Sequence, residues 1–292
     1  MSDLVLIVNP VAGGGRARRA AALALPLLGG EHAVRLLQTT GAGHARALAA
    51  AAVADGATRI LVCGGDGTIN EVASALAHAD CALGILPFGR GNDLAAALDI
   101  PRALEAAVAV FLGGHTRRID LGTANGRVFC TVAATGFDAE VARRVRTGHW
   151  HHAGRFAYAG GVLGSLWTYR AAQLRLEGDF GVREGEYLLA AASNTGSYGG
   201  GIWIAPDARP DDGMLDCCLV RPMPPLRMVR VFLAAYGGGH VRFPEVEIVR
   251  TRELRVTADR ALPVITDGEL AGETPAVFGI MPMALRVITA KF

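Results

Sequence analysis

Long apolar runs are missing from this sequence: no uninterrupted stretch reaches the ~18 residues a bilayer-spanning helix needs, so such a helix is excluded. Net charge is nearly absent too. The 29 Lys and Arg against 27 Asp and Glu leave +2, which speaks against wholesale nucleic-acid binding. Cysteines number five, Cys63, Cys81, Cys130, Cys217 and Cys218, mostly set in apolar strand-like runs, and they read as reduced core residues. No Cys/His spacing resembles a zinc site, and the cluster His149, His151 and His152 lacks partners at ligand spacing. No basic and then apolar leader precedes the first strand-like run, so a cytoplasmic protein is expected.

What is present is apolar residue in short, punctuated pieces. Hydrophobic residues make up 51% of the chain and charged ones 19%, the balance of a folded protein. A chain of 292 residues suggests two domains at ~100–200 residues each.

The chain is organised around Ile60-Leu61-Val62-Cys63-Gly64-Gly65-Asp66-Gly67-Thr68-Ile69-Asn70-Glu71. A buried strand breaks into a glycine turn, and Ile69, Val72, Ala73 and Leu76 then recur at helical spacing. Glycines let the backbone approach a bulky ligand, and the free N–H groups of a helix start attract phosphate. Phosphate repels a carboxylate unless a cation lies between them, so Asp66 points to Mg²⁺; the plainer reading is a βα turn with Asp as a turn residue. Thr68 is placed either to cap the helix or to bond phosphate.

Leu4 to Val8 reads as a buried parallel strand ended by Asn9-Pro10, and Gly13-Gly14-Gly15 with Arg16, Arg18 and Arg19 opens a helix to Leu28. Arginines at a helix start oppose the macrodipole, which suits an anion there or a solvated basic turn. Strands are expected at Val34 to Leu37, Ile60 to Cys63 and Leu83 to Leu86, with a helix from His44 to Val53 and another from about Leu94. That alternation predicts an α/β sheet whose ligands gather at the carboxyl ends of its strands. After Asp120 the pattern changes to many short strand-like runs between Gly, Pro and Asp turns, among them Val128 to Ala133, Tyr187 to Ala192, Ala276 to Ile280 and Leu285 to Ile288, with helices expected at Ala139 to Arg146 and Arg155 to Tyr169, which predicts a β-sandwich-like second domain. The expected division is 1–123 and 124–292, with the final strands open to a return to the first domain.

Five motifs then fall in order: Asn9-Pro10 with its glycine turn, Gly64 to Glu71, Leu86-Pro87-Phe88-Gly89-Arg90-Gly91-Asn92-Asp93-Leu94, Asp212-Gly213-Met214-Leu215-Asp216, and Asp267-Gly268-Glu269. Together they resemble the diacylglycerol kinase catalytic-domain family, which includes soluble bacterial lipid kinases and sphingosine and ceramide kinases. The resemblance covers nearly the whole chain. It implies an N-terminal nucleotide-binding α/β domain similar to that of phosphofructokinase and NAD kinase, a C-terminal β-rich domain and an active site in the cleft between them.

It also implies the cofactors ATP and Mg²⁺. The implied nucleotide set is Asn9, Thr39, Gly64, Gly65, Asp66, Gly67, Thr68, Ile69, Asn70, Glu71, Gly89, Arg90 and Asn92. Glu269 matches the family's catalytic carboxylate, with Asp267 beside it, and would take the proton from a lipid hydroxyl; the ordinary alternative is an exposed turn acid. Asp212 with the carbonyls of Arg209 and Met214 matches the family's Mg²⁺ site, joined through waters by Asp66, Asp93 and Asp120; an Asp-Gly hairpin is the alternative. The family usually has a small hydroxyl residue where Arg90 stands, so that contact is lost and a guanidinium takes its place.

The expected activity is phosphoryl transfer from ATP to a lipid hydroxyl, foremost of diacylglycerol. Phosphatidylglycerol, a sphingoid base or NAD are alternative acceptors, and a non-catalytic nucleotide- or lipid-binding regulator is the remaining reading. Arg143, Arg144, Arg146, His149, Trp150, His151, His152 and Arg155, followed by Phe156, Tyr158, Leu163, Leu166, Trp167 and Tyr169, combine cations and rings as a peripheral membrane contact would; an amphipathic helix covering the second domain explains the same pattern. No nucleic-acid partner is expected, and monomer and homodimer both stay open.

Overall fold

The computed structural model describes residues 4–29, 33–147 and 169–290. The chain divides into two compact units, Met1–Leu121 with Pro282–Phe292, and Gly122–Met281.

The first unit alternates β1 (Leu4–Val8), α1 (Arg16–Leu28), β2 (Val34–Gln38), α2 (His44–Ala54), β3 (Arg59–Gly64), α3 (Asp66–Leu76) and β4 (Ala82–Pro87), then adds α4 (Asp93–Ala97) and α5 (Leu104–Gly113). The strands run parallel in the order β2-β1-β3-β4. Residues 286 and 287, near the end of the chain, extend the sheet by pairing parallel with Ala82 and Leu83. All five residues of β1 are buried, as are all six of β4, because helices cover both faces of a parallel sheet. Alanine lines the buried stripe of α2 at Ala45, Ala49 and Ala52, so that helix packs close. Phe111 of α5 lies flat on β4: a Cβ on Gly84 would stand 2.2 Å from its ring, and Arg59 covers the ring at 4.7 Å.

The second unit starts within β5 (Thr116–Ala124) and continues with β6 (Arg127–Phe129), β7 (Val132–Gly136) and α6 (Phe137–Thr147). After these come β8 (Ala172–Gly178), β9 (Gly181–Tyr187), β10 (Leu189–Ser193), β11 (Leu215–Val220), α7 (Pro225–Ala235), β12 (Val246–Thr251), β13 (Glu253–Ala258), β14 (Pro263–Thr266), β15 (Glu269–Glu273) and β16 (Ala276–Ile288). One sheet has the order β12-β11-β10-β7-β14-β15, and β16-β13-β8-β9 form part of another; the pairs within both are antiparallel. Phe129, Leu176, Tyr187, Leu254 and Phe278 pack with Ala192, Leu215, Cys217 and Val264 between the two sheets. The outer face of the six-stranded sheet is buried as well, by Ala139 of α6, Val231 and Ala235 of α7, and the loop residues Tyr198, Ile202 and Ile204. The adjacent Cys217 and Cys218 therefore point into different cores, and all five cysteines are free and buried.

Several expected elements are redrawn. Val128 to Ala133 is not one strand but parts of β6 and β7, and Tyr187 to Ala192 is likewise divided between β9 and β10. The two runs expected at 276–280 and 285–288 are one strand, β16. The helix expected from Arg155 to Tyr169 lies almost wholly outside the described residues. No helix among those residues is long and apolar enough to cross a membrane.

Candidate active site

Parallel strands end on the same side of their sheet, so the turns after β1, β2, β3 and β4 come together. Main chain holds them in place. The Asn9 N–H donates to Cys63 O at 3.0 Å, Thr39 N–H to Val8 O at 2.9 Å, and Phe88 N–H to Gly64 O at 3.1 Å. Asn9 Nδ2 donates to Thr68 Oγ1 at 3.0 Å. Glycine is obligatory where the turns touch: a Cβ on Gly89 would stand 2.4 Å from Gly65 Cα, and one on Gly13, at φ +60°, would stand 2.3 Å from Phe88 O.

Helix α3 begins at Asp66 after an N-cap Gly65 that makes no side-chain cap, and its start lies against the turn after β4 at Gly89. Thr68 is buried and turned toward Asn9, which removes the capping role considered for it. Asn92 closes the fourth turn in a left-handed conformation, φ 59°. Its Oδ1 accepts the Gly89 N–H at 2.7 Å and its Nδ2 donates to Gly89 O at 3.3 Å. Arg90 projects from this turn, exposed and without a hydrogen bond or ion pair among the described residues.

Four acids read as site residues have structural partners. Asp66 accepts the Asn92 N–H at 2.9 Å and the Asp93 N–H at 2.7 Å, which caps α4 and ties the third-strand turn to the fourth. Glu71 accepts the N–H groups of Gly43 at 2.7 Å, Ala45 at 2.9 Å and Arg46 at 3.3 Å, and is the cap of α2 rather than a nucleotide contact. Asp120 is fully buried and accepts the Met283 N–H at 2.7 Å. Asp267 accepts the N–H groups of Cys130 at 2.7 Å, Thr131 at 2.9 Å and Val132 at 3.1 Å, and the Thr131 hydroxyl at 2.6 Å. These bonds fix the hairpin that leads into β15. Ile69, also placed in the nucleotide set, buries its side chain in the core and can offer only backbone. Asp93 keeps its carboxylate beside that of Asp66: a Cβ on Gly91 would stand 3.1 Å from the one and 2.7 Å from the other.

Glu269 differs from these acids. Asp267 and Gly268 take φ 47° and 83°, the two positive values of a tight hairpin turn, and Glu269 is the first residue of β15. Its side chain is exposed and accepts no hydrogen bond among the described residues. This is the placement of an exposed turn acid, and the catalytic reading of Glu269 requires the same exposure.

At the proposed metal turn, Asp212 Oδ1 accepts the Met214 N–H at 3.1 Å while Oδ2 pairs with Arg250, which also reaches Asp216 Oδ1 at 3.5 Å. Burial pushes the Asp216 carboxyl up, Arg250 opposes the rise, and Asp212 and Asp207 add to it. Asp216 Oδ2 is buried without a partner. An oxygen-rich, acidic donor set with one orphaned buried oxygen suits a hard cation. Among the described residues no three Asp, Glu, His or Cys side chains could hold a metal by themselves, so backbone carbonyls such as those of Arg209 and Met214 would have to complete the set.

One feature of the second unit escaped sequence reading altogether. A cavity of about 90 Å³ lies under α7, lined by Phe137, Leu188, Ile202, Val220, Met223, Met228 and Phe232. Its polar groups are few: buried Asp138, which accepts the Tyr198 hydroxyl, and His240, whose ring Nε2 lies 3.0 Å from Ile204 O. The hydrophobic spacing of Met228, Val231, Phe232 and Ala235 was the available signal for α7, hidden by the prolines before it.

Comparison with known proteins gives a consistent result. Residues 3–124 match the family model described as the diacylglycerol kinase catalytic domain, and residues 131–289 match the YegS C-terminal NAD kinase beta sandwich-like domain. A diacylglycerol kinase of Mycobacterium tuberculosis is 37% identical over 301 residues, spanning 100% of this chain and 96% of that one. A probable YegS-like lipid kinase of Pseudomonas aeruginosa is also 37% identical, over 97% of this chain and 93% of its own length. In fold, the chain is similar to the crystal structure of a putative diacylglycerol kinase from Bacillus anthracis, with a TM-score of 0.84 at 24% identity over 99% of this chain and 95% of that one.

Proposed function

The chain belongs to the diacylglycerol kinase catalytic-domain family of lipid kinases, phosphotransferases with an alcohol acceptor, and from that premise we propose that it transfers the γ-phosphoryl group of ATP to the hydroxyl of diacylglycerol. The observation that carries the reading is the uncapped start of α3, set among glycines whose missing side chains let a polyphosphate reach backbone N–H groups. Asn9, Thr68 and Asn92 keep that turn cluster rigid, so the donor phosphates meet dipoles already aimed at them. Arg90 has no hydrogen bond or ion pair among the described residues and would reach phosphate oxygen through a bidentate guanidinium, in place of the hydroxyl contact usual in the family. Replacing Arg90 with Thr should raise KM for ATP; an unchanged or lower KM would remove Arg90 from the phosphate site.

Glu269 is the base. Exposed and without a hydrogen-bond partner among the described residues, it would accept the proton of the acceptor hydroxyl as that oxygen attacks phosphorus. Asp267 acts through it, because four hydrogen bonds to residues 130–132 fix the hairpin from which Glu269 projects. Asp212 and the carbonyls of Arg209 and Met214 would hold Mg²⁺. When bound, the ion would spread the charge of the transferring group.

The test is transfer of labelled γ-phosphate from ATP with Mg²⁺ to diacylglycerol, phosphatidylglycerol and a sphingoid base in mixed micelles, with NAD in parallel. Transfer to diacylglycerol, lost in Glu269→Gln, is the expected result. Transfer to NAD alone, or to nothing, would overturn the reading.

A further inference from the structure

Helix α7 has two apolar sides, and packing explains only one. Val231 and Ala235 are buried, and with Met228 and Phe232 they line the cavity. The opposite stripe, Leu226-Arg230-Leu233 at spacings of four and three, faces out. Leu226 is 74% exposed and Leu233 62%, while Tyr236 at the helix end is 48% and Trp203 44% exposed. Trp203 is bound to the same end, its N–H donating to Ala235 O at 2.9 Å. Val241 continues the patch, which among the described residues gathers the exposed large hydrophobic side chains of the second unit apart from Val182.

Its charge is of one sign. Between Asp216 and Glu245 the sequence has four arginines, Arg221, Arg227, Arg230 and Arg242, and no carboxylate. Arg227 pairs with Glu245 at 2.6 Å, but Arg230 and Arg242 are exposed and have no ion pair among the described residues. Leucines flanked by Trp and Tyr rings and unpaired guanidiniums are the composition of a helix lying in a lipid interface, with rings at headgroup level and cations toward anionic phosphate. A second copy of the chain is a poorer fit, because a two-fold contact sets the same arginines against one another.

We propose that the outer face of α7, with Trp203, Tyr236 and Val241, docks the protein on an anionic bilayer, so that the helix roofing the apolar cavity is the helix that meets the membrane. The inference rests on the lipid-kinase reading for its purpose, and on exposure and charge for its place. It puts the interfacial surface on residues 203 and 226–242. The stretch from Arg143 to Tyr169 expected from sequence lies mostly outside the described residues.

The experiment is co-sedimentation of the full chain with phosphatidylcholine vesicles, with and without phosphatidylglycerol. It is run for the unaltered protein, for Leu226→Asp with Leu233→Asp, and for Arg230→Glu with Arg242→Glu. Transfer to dioctanoylglycerol in detergent micelles is measured on the same samples. The unaltered protein should bind only the anionic vesicles. Each double variant should bind at least about tenfold more weakly, since two leucine side chains or two interfacial cations are each worth well over 1.4 kcal/mol. Micellar transfer should be unchanged, because these side chains face away from the cavity. Equal sedimentation of all three proteins, or indifference to phosphatidylglycerol, overturns the proposal. So does a dimer in sedimentation velocity that the leucine variant splits, which would make the face a self-association surface. Failure of the lipid-kinase reading looks different: no micellar transfer by the unaltered protein, whatever the vesicles show.

Discussion

Two turns carry the acids of this chain, and they use them in opposite ways. In the first unit Asp66 follows the paired glycines, and both its oxygens accept backbone N–H groups of the fourth-strand turn. In the second unit the hairpin separates the two: Asp267 takes the backbone hydrogen bonds, and Glu269, two residues on, stays exposed and accepts no hydrogen bond among the described residues. A carboxylate surrounded by N–H donors is fixed in place and acts as a clamp. The carboxylate of Glu269, on the same hairpin as Asp267, is left exposed. On the proposed reading, the first unit would offer backbone dipoles to a phosphate chain and the second a side chain to a proton.

The sharpest way to break this contrast is to exchange a carboxylate for its amide on each side of the hairpin turn. Glu269→Gln should lower kcat by about 10²- to 10⁴-fold with the melting temperature unchanged. Asp267→Asn should cost about 2–3 kcal/mol of stability, because the amide cannot accept all the bonds the carboxylate does. If Asp267→Asn melted normally and Glu269→Gln were unstable, the roles would be reversed.

In the first unit, Gly89→Ala would force a methyl group to within 2.4 Å of Gly65 Cα. The turns must separate, at about 1–3 kcal/mol and with weaker ATP binding by calorimetry. Normal affinity would show that the turn contact is not needed for nucleotide. Glu71→Gln should cost about 1 kcal/mol through weaker capping of α2, measurable by urea denaturation. It should leave KM for ATP within error; a raised KM would restore Glu71 to the nucleotide site.

The smallest effect is expected with pH at His240. Burial lowers its pKa from 6.5, against the opposing bond to Ile204 O, so the folded state favours the neutral ring. Its contribution is present above pH 6.5 and is lost as pH falls from there through the lower folded-state value. His240→Gln should flatten the fall in melting temperature between pH 7.5 and 5.5; an unchanged slope would assign acid sensitivity to another group.

Much of this molecule is legible from local pattern. Continuous apolar runs such as Leu4 to Val8 announce strands buried on both faces, and Gly64-Gly65-Asp66-Gly67 announces a turn into a helix, because backbone freedom and periodicity are properties of neighbouring residues. The mixed architecture was legible on the same ground. The strand β9, Gly181-Val-Arg-Glu-Gly-Glu-Tyr187, was not, since at an edge one face meets water and charge replaces the apolar signal. Nor was β15, whose sequence Glu269 to Glu273 reads as turn.

By itself the sequence determined which stretches form the α/β layer and the β-rich layer, where glycine is mandatory, and which acids stand near turns. Only tertiary structure decided what each acid does, since Glu71 meets α2 from 26 residues away and Asp267 meets Thr131 from 136 away. Hydrogen-bond partners so distant in sequence are set by how elements pack, and no local pattern records them. The same holds for α7: its inner residues became a cavity wall and its outer ones an exposed apolar stripe only once the six-stranded sheet was beneath it.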